Sequence, residues 1–188
     1  MAIAGLGLGP WEVLHQGIAR LTGLPLGTVS ILLGVPILAA WLPLGERPGI
    51  GTVLNIVLIG LATNATLAVL PEITWLPLQV AAMLAGVVTI AVGSGLYLAS
   101  DLGPGPRDGL MTGLHLRFGW SIRRARTGIE IVVTAAGFLL GGTVGLGTVV
   151  FALGIGPLVQ VALGVFDREG RVSRRRRALL EGDATVAE

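Results

Sequence analysis

Glu12 and Asp108 each stand two residues past a Gly-Pro pair, Gly9-Pro10 and Gly105-Pro106. Proline at the first helical position forfeits no hydrogen bond, and an acid in the first turn is favoured by the helix dipole. The pattern therefore predicts two short helices, over about 10–24 and 106–120, each opening with a carboxylate. On one reading these acids only steady the helix ends. On the other, the two helix starts meet as broken helices do in transporters, offering N–H groups and carboxylates to a solute. Gln16 and Thr112 lie one turn further along, while Asn64 and Gln160 are polar side chains within apolar stretches, where each needs a partner. Glu12, Gln16, Asn64, Asp108, Thr112 and Gln160 are thus the expected lining of one polar cavity. A separate acid, Glu130, also falls within an apolar stretch, with Arg126 four residues earlier on the same helix face. It is expected to form a local ion pair or a coupling-ion or proton site.

Other chemistry finds little support. The chain has no cysteine, which removes disulfides, thiolate metal sites and thiol redox reactions. His15 and His115 fall on different short helices and are not equivalent in the repeat described below, so no metal site is expected. Gly5-Leu-Gly-Leu-Gly-Pro lacks both the GxGxxG spacing and a preceding strand, and no Ser-His-Asp or Cys-His grouping suggests a nucleophile. The sequence thus reads as neither an enzyme nor a cofactor or nucleic-acid binder. Trp11, Trp41, Trp75 and Trp120 fall near the ends of apolar stretches and are expected to anchor them at the membrane interface.

A membrane must position these residues. Apolar residues make up 53% of the 188 and charged ones 13%, against roughly 25% charged in soluble domains. A bilayer crossing needs about 20 apolar residues, and five stretches qualify, at about 25–44, 49–70, 75–98, 125–142 and 145–166. The two Gly-Pro helices are too short and too polar to cross, so a re-entrant or interfacial placement is expected. The chain also repeats itself at an offset of 96 residues: Gly7, Gly9, Pro10, Glu12, Gly17 and Gly23 answer to Gly103, Gly105, Pro106, Asp108, Gly113 and Gly119. The register holds downstream, where Gly45, Gly49, Gly51, Thr52 and Gly60 match Gly141, Gly145, Gly147, Thr148 and Gly156.

The expected fold is all-α and polytopic, with about five transmembrane helices, two short helices and an internal repeat. Its units are 1–70, 71–166 and a basic tail, 167–188, expected to be disordered and cytoplasmic with Arg174–Arg177 lying on anionic lipid. Span 75–98 has no counterpart ahead of Gly7, so the first repeat is expected to lack its first helix, with Met1 a late start. All thirteen basic residues are arginine. With the C-terminus cytoplasmic, five crossings leave only Arg20 outside, which the positive-inside rule favours and which makes the two copies inverted.

Leu6-Gly-Leu-Gly-Pro-Trp-Glu-Val-Leu-His-Gln-Gly, Leu26-Gly-Thr-Val-Ser and Pro48-Gly-Ile-Gly-Thr-Val-Leu-Asn resemble the bacterial YczE/YyaS/YitT family of integral membrane proteins, over about residues 5–166. The resemblance implies a multi-span protein of the cytoplasmic membrane, supplies no catalytic residues, and implies a hydrophobic helix ahead of the Leu-Gly-x-Gly-Pro-Trp motif, where this sequence departs. Two functions are expected to compete. One is a small-solute transporter or channel whose inverted halves surround a site. The other is a non-transporting scaffold or accessory subunit. The expected partners are the lipid bilayer, an unidentified small solute and, for so small a chain, a second copy of itself.

Overall fold

The computed structural model describes residues 2–46, 48–100 and 102–167. A 3-10 turn at Ala2–Ala4 leads into α1 (Pro10–Thr22), α2 (Leu26–Trp41, prolonged by a 3-10 turn at Leu42–Leu44), α3 (Ile50–Val69), α4 (Leu76–Ala99), α5 (Pro106–Phe118), α6 (Ile122–Leu139) and α7 (Leu146–Phe166). The described residues contain no strand, and the all-α expectation holds. Residues 168–188, including Arg174–Arg177, lie outside the described residues.

Four helices, Leu26–Leu44, Ile50–Val69, Leu76–Ala99 and Leu146–Phe166, are long and apolar enough to cross a bilayer. Their outer faces are studded with exposed leucine, valine and isoleucine, which hydrocarbon tolerates and water does not. The fifth expected span corresponds to α6, which has 18 residues but carries Arg123, Arg124 and Arg126 near its start and Glu130 at its middle.

The two halves are built alike. α1 and α5 have 13 residues each, start with proline behind an extended glycine (Gly9, Gly105) and end at a left-handed glycine (Gly23, Gly119). Gly7 and Gly103 both adopt φ +113°, a conformation closed to other residues without strain.

These loops do not close their own half. The Leu6 carbonyl accepts a hydrogen bond from the Gly147 N–H at the start of α7 (2.7 Å), and the Leu102 carbonyl accepts one from the Gly51 N–H at the start of α3 (2.9 Å). Leu6 and Leu102 are repeat equivalents, as are Gly51 and Gly147. Each donor is one of the first-turn N–H groups that a helix cannot satisfy internally. Beside them, the Thr52 and Thr148 hydroxyls accept from the preceding Gly49 and Gly145 N–H groups (3.1 and 3.2 Å), and Thr52 donates onward to the Pro104 carbonyl (2.7 Å).

The short helices cross over as well, α1 packing on α6 and α5 on α2. Here the halves differ. A methyl group at Gly137 would strike the Val13–Leu14 backbone, so α1 and α6 touch almost backbone to backbone. Trp41 stands at the equivalent position in α2. Its ring lies over Gly109, is 0% exposed, and donates from Nε1 to the Pro106 carbonyl at 3.1 Å. The interfacial expectation therefore fails for Trp41 and for Trp11, which is 7% exposed, whereas Trp75 and Trp120 are 67% and 50% exposed. Here a buried ring stands where the other crossing has a glycine. Finally, α4 lies on α7 around Val87, Ala91, Phe151 and Ile155.

Thr52→Val should lower stability by about 1–3 kcal/mol, since it strips a hydroxyl from a buried N–H and a carbonyl at once. Thr63→Val, whose hydroxyl serves only its own helix at Ile59, should be close to neutral. Thermal unfolding midpoints in detergent check both; equal midpoints would remove the crossed loop from the stabilising contacts.

Candidate functional site

The crossed loops bring the starts of α1 and α5 together. Trp11 and Arg107 are repeat equivalents, and the Arg107 guanidinium carbon sits 5.2 Å from the centre of the Trp11 ring, within cation–π range. Two positions 96 residues apart in the sequence thus meet in space. Arg107 also donates to Glu12 Oε1 at 2.7 Å. The second oxygen, Glu12 Oε2, is buried without a hydrogen-bond partner among the described residues. One turn along α1, His15 is 4% exposed. Tyr97 from α4 closes the α5 side, its hydroxyl donating to the Gly103 carbonyl at 3.0 Å.

Charge sets the ionisation of this cluster. Burial works to raise the Glu12 carboxyl, but the charge and hydrogen bond of Arg107, with His15 and the backbone, together hold the acid below its ordinary range. Burial, with Arg107 nearby, lowers His15 to about 4, leaving the ring neutral at pH 7. Asp108 goes the other way: burial raises it despite Arg126 and Arg107. The two repeat-equivalent acids are pushed apart, one towards the charged and one towards the protonated form.

The six residues expected to line one cavity take different places. Glu12 stands in the helix-start cluster, and Asp108 follows Arg107 in the first turn of α5. Gln16 Oε1 accepts from the Thr143 N–H (2.6 Å) in the loop before α7, and Thr112 donates to its own helix at Asp108 O (3.0 Å). Asn64 is a clamp between spans: Oδ1 accepts from the Gly27 N–H at the start of α2 (2.8 Å), and Nδ2 donates to Thr28 Oγ1 (2.9 Å). Gln160 is exposed on α7. Arg107, which ties the cluster together, was not among the expected residues; its match to Trp11 in the repeat was the available signal.

Glu130 and Arg126 form the ion pair, Arg126 Nε donating to Glu130 Oε1 at 3.0 Å. The acid opens onto a groove of about 500 Å³ along α6, walled by Thr127, Ile131, Thr134, Phe138 and Val144. The difference from the first half explains this groove. There, a methyl at Gly27 would collide with the Gly60 carbonyl, and Gly34 packs on Ile56, so α2 and α3 lie close. In the second half, Arg123 and Glu130 stand where Gly27 and Gly34 do, and α6 and α7 share no comparable packing.

Duplicated, mutually capped halves built from apolar spans and paired short helices define a polytopic helical membrane protein. Residues 1–163 match the family of unknown function DUF6198, and the chain belongs to that family. It is 45% identical over 168 residues to an uncharacterized protein of Haemophilus influenzae, covering 89% of this chain and 77% of that one. It is 33% identical over 160 residues to the uncharacterized membrane protein YczE of Bacillus subtilis, covering 84% of this chain and 74% of the relative. No solved structure matches.

Asn64→Leu should cost about 1–3 kcal/mol by orphaning the Gly27 N–H, while Gln160→Leu, on an exposed apolar face, should leave the unfolding midpoint unchanged. For pH, the unfolded chain protonates His15 near its ordinary 6.5, whereas the folded chain resists until about 4. Its contribution is complete above pH 6.5 and is lost as pH falls towards 4. Unfolding midpoints measured from pH 7.5 to 4.5 should therefore fall less steeply in His15→Gln than in the parent; parallel curves would contradict a buried neutral ring.

Proposed function

We propose that this chain is a small-solute transporter or channel-like protein of the bacterial cytoplasmic membrane, built from two inverted repeats and acting without a cofactor. The observation that carries the reading is the ion pair at the joined helix starts, with Arg107 bound to Glu12 Oε1 while Glu12 Oε2 lacks a hydrogen-bond partner among the described residues. Ionisable groups are costly at membrane depth and concentrate where they bind or relay. In this reading Glu12 Oε2 takes a hydrogen-bond donor of the solute, Arg107 steadies the carboxylate, and Asp108 exchanges a proton as the site opens.

The clamp made by Asn64 supports a second reading, a non-transporting scaffold, because it commits an amide within a span to helix packing. Proteoliposomes separate the two. Stopped-flow swelling in glycerol, urea or glycine should exceed that of protein-free vesicles for at least one solute, and Glu12→Gln should cut the rate about tenfold or more, the worth of a charged hydrogen bond, with the parent's elution profile retained. Parent vesicles that swell no faster than empty ones favour the scaffold.

The inverted arrangement has its own test. Reporter fusions after residues 46, 73, 110 and 188 should read inside, outside, inside and inside, following the arginine distribution. An external residue 188 overturns it.

A further inference from the structure

On the groove face of α6, Thr127 and Glu130 occupy the positions of Ile31 and Gly34, which α2 packs against α3, and Ile131, Thr134 and Phe138 continue that face towards the end of the helix. What occupies it in the membrane must satisfy two chemistries. Thr127, Ile131, Thr134 and Phe138 follow one another at helical spacings of three and four, one continuous stripe, and Arg124 heads that stripe three residues before Thr127. The stripe is apolar along its length, since the Thr134 hydroxyl is already spent on the Glu130 carbonyl (2.6 Å). Its head is cationic. Arg117, Arg124 and Arg126 are exposed there, with Glu130 held by Arg126. Phe118 and Trp120, 6.4 Å apart and both exposed, flank the same end just ahead of α6, where amphipathic rings suit a headgroup region.

We propose that this groove is the binding site of one anionic phospholipid, its phosphate against Arg124 and Arg126 and one acyl chain along Ile131, Thr134 and Phe138. A membrane helix would cover the apolar stripe but leave the arginines unmatched, and a second copy would bring the same arginines against them. A lipid phosphate matches the head, and its chain covers the apolar stripe along α6. The stripe and the charge complementarity are independent of any transported solute.

Native mass spectrometry and thermal unfolding of the full chain in detergent test this with phosphatidylglycerol and phosphatidylcholine of equal chain length. Phosphatidylglycerol should stay bound at one per chain and raise the unfolding midpoint by roughly 5 °C, as saturating ligand does, with little effect of phosphatidylcholine. Arg124→Gln and Ala135→Phe, the latter placing a ring in the groove from an exposed position, should each remove most of that shift while keeping the lipid-free midpoint. Replacing Arg174–Arg177 with glutamine should leave the shift intact. Equal stabilisation by phosphatidylcholine, an equal shift from glycerol phosphate alone, or loss of the shift only in the tail variant would each overturn the site.

Discussion

The first turns of α3 and α7 leave N–H groups, at Gly51 and Gly147, that nothing in their own half satisfies, and both glycines are buried away from water. Each half solves this for the other: Leu6 accepts from Gly147, and Leu102 accepts from Gly51. The rest of the architecture follows from that exchange. Only a glycine reaches φ +113° and lets the loop backbone approach the partner helix, so Gly7 and Gly103 recur at the same place in both halves. Because each loop runs directly into a short helix, the exchange also sets the starts of α1 and α5 beside each other, where Trp11 meets Arg107 and Arg107 meets Glu12. A charged cluster between the halves is a consequence of how they cap one another.

Departures from the repeat are as informative as its matches. Trp41 replaces the glycine that lets α1 press against α6, and the α2–α5 crossing is filled by its ring and tied by its Nε1. Asn64 draws α3 onto α2 through Gly27 and Thr28, and in the second half both of those positions are arginine. A glycine contact of that kind is closed to the second half, and α6 and α7 share no comparable packing. One half is thereby a clamped pair of spans, the other an open groove with an ion pair, so chemistry in this molecule follows asymmetry imposed on a shared scaffold.

Much of this was legible in the sequence. The Gly-Pro starts, the left-handed glycine ends and the Gly-x-Gly-Thr openings of α3 and α7 are local signals, and their recurrence at one offset exposed the duplication. The i,i+4 spacing of Arg126 and Glu130 named its pair correctly, because that contact is fixed by helix geometry. Contacts between distant segments were less legible. Asn64 reads as a polar residue in a span, and only the Gly27–Gly60 crossing decides that it caps α2. Trp41 reads as an interface anchor until the missing volume at Gly109 is seen. Arg107 carried its signal in the repeat itself, as the position that answers to Trp11.

Cross-linking in native membranes tests the exchanged caps most directly, and the absence of native cysteine makes the background clean. Ile50 and Leu146 immediately precede the two donor glycines, and Leu6 and Leu102 carry the two accepting carbonyls. With a short thiol-specific bifunctional reagent, the double variants Leu6→Cys with Leu146→Cys and Leu102→Cys with Ile50→Cys should both close a loop within one chain, giving a shifted band on denaturing gels. The uncrossed combinations, Leu6→Cys with Ile50→Cys and Leu102→Cys with Leu146→Cys, should not. Efficient linking of the uncrossed pairs in place of the crossed ones would contradict the exchange on which the whole arrangement rests.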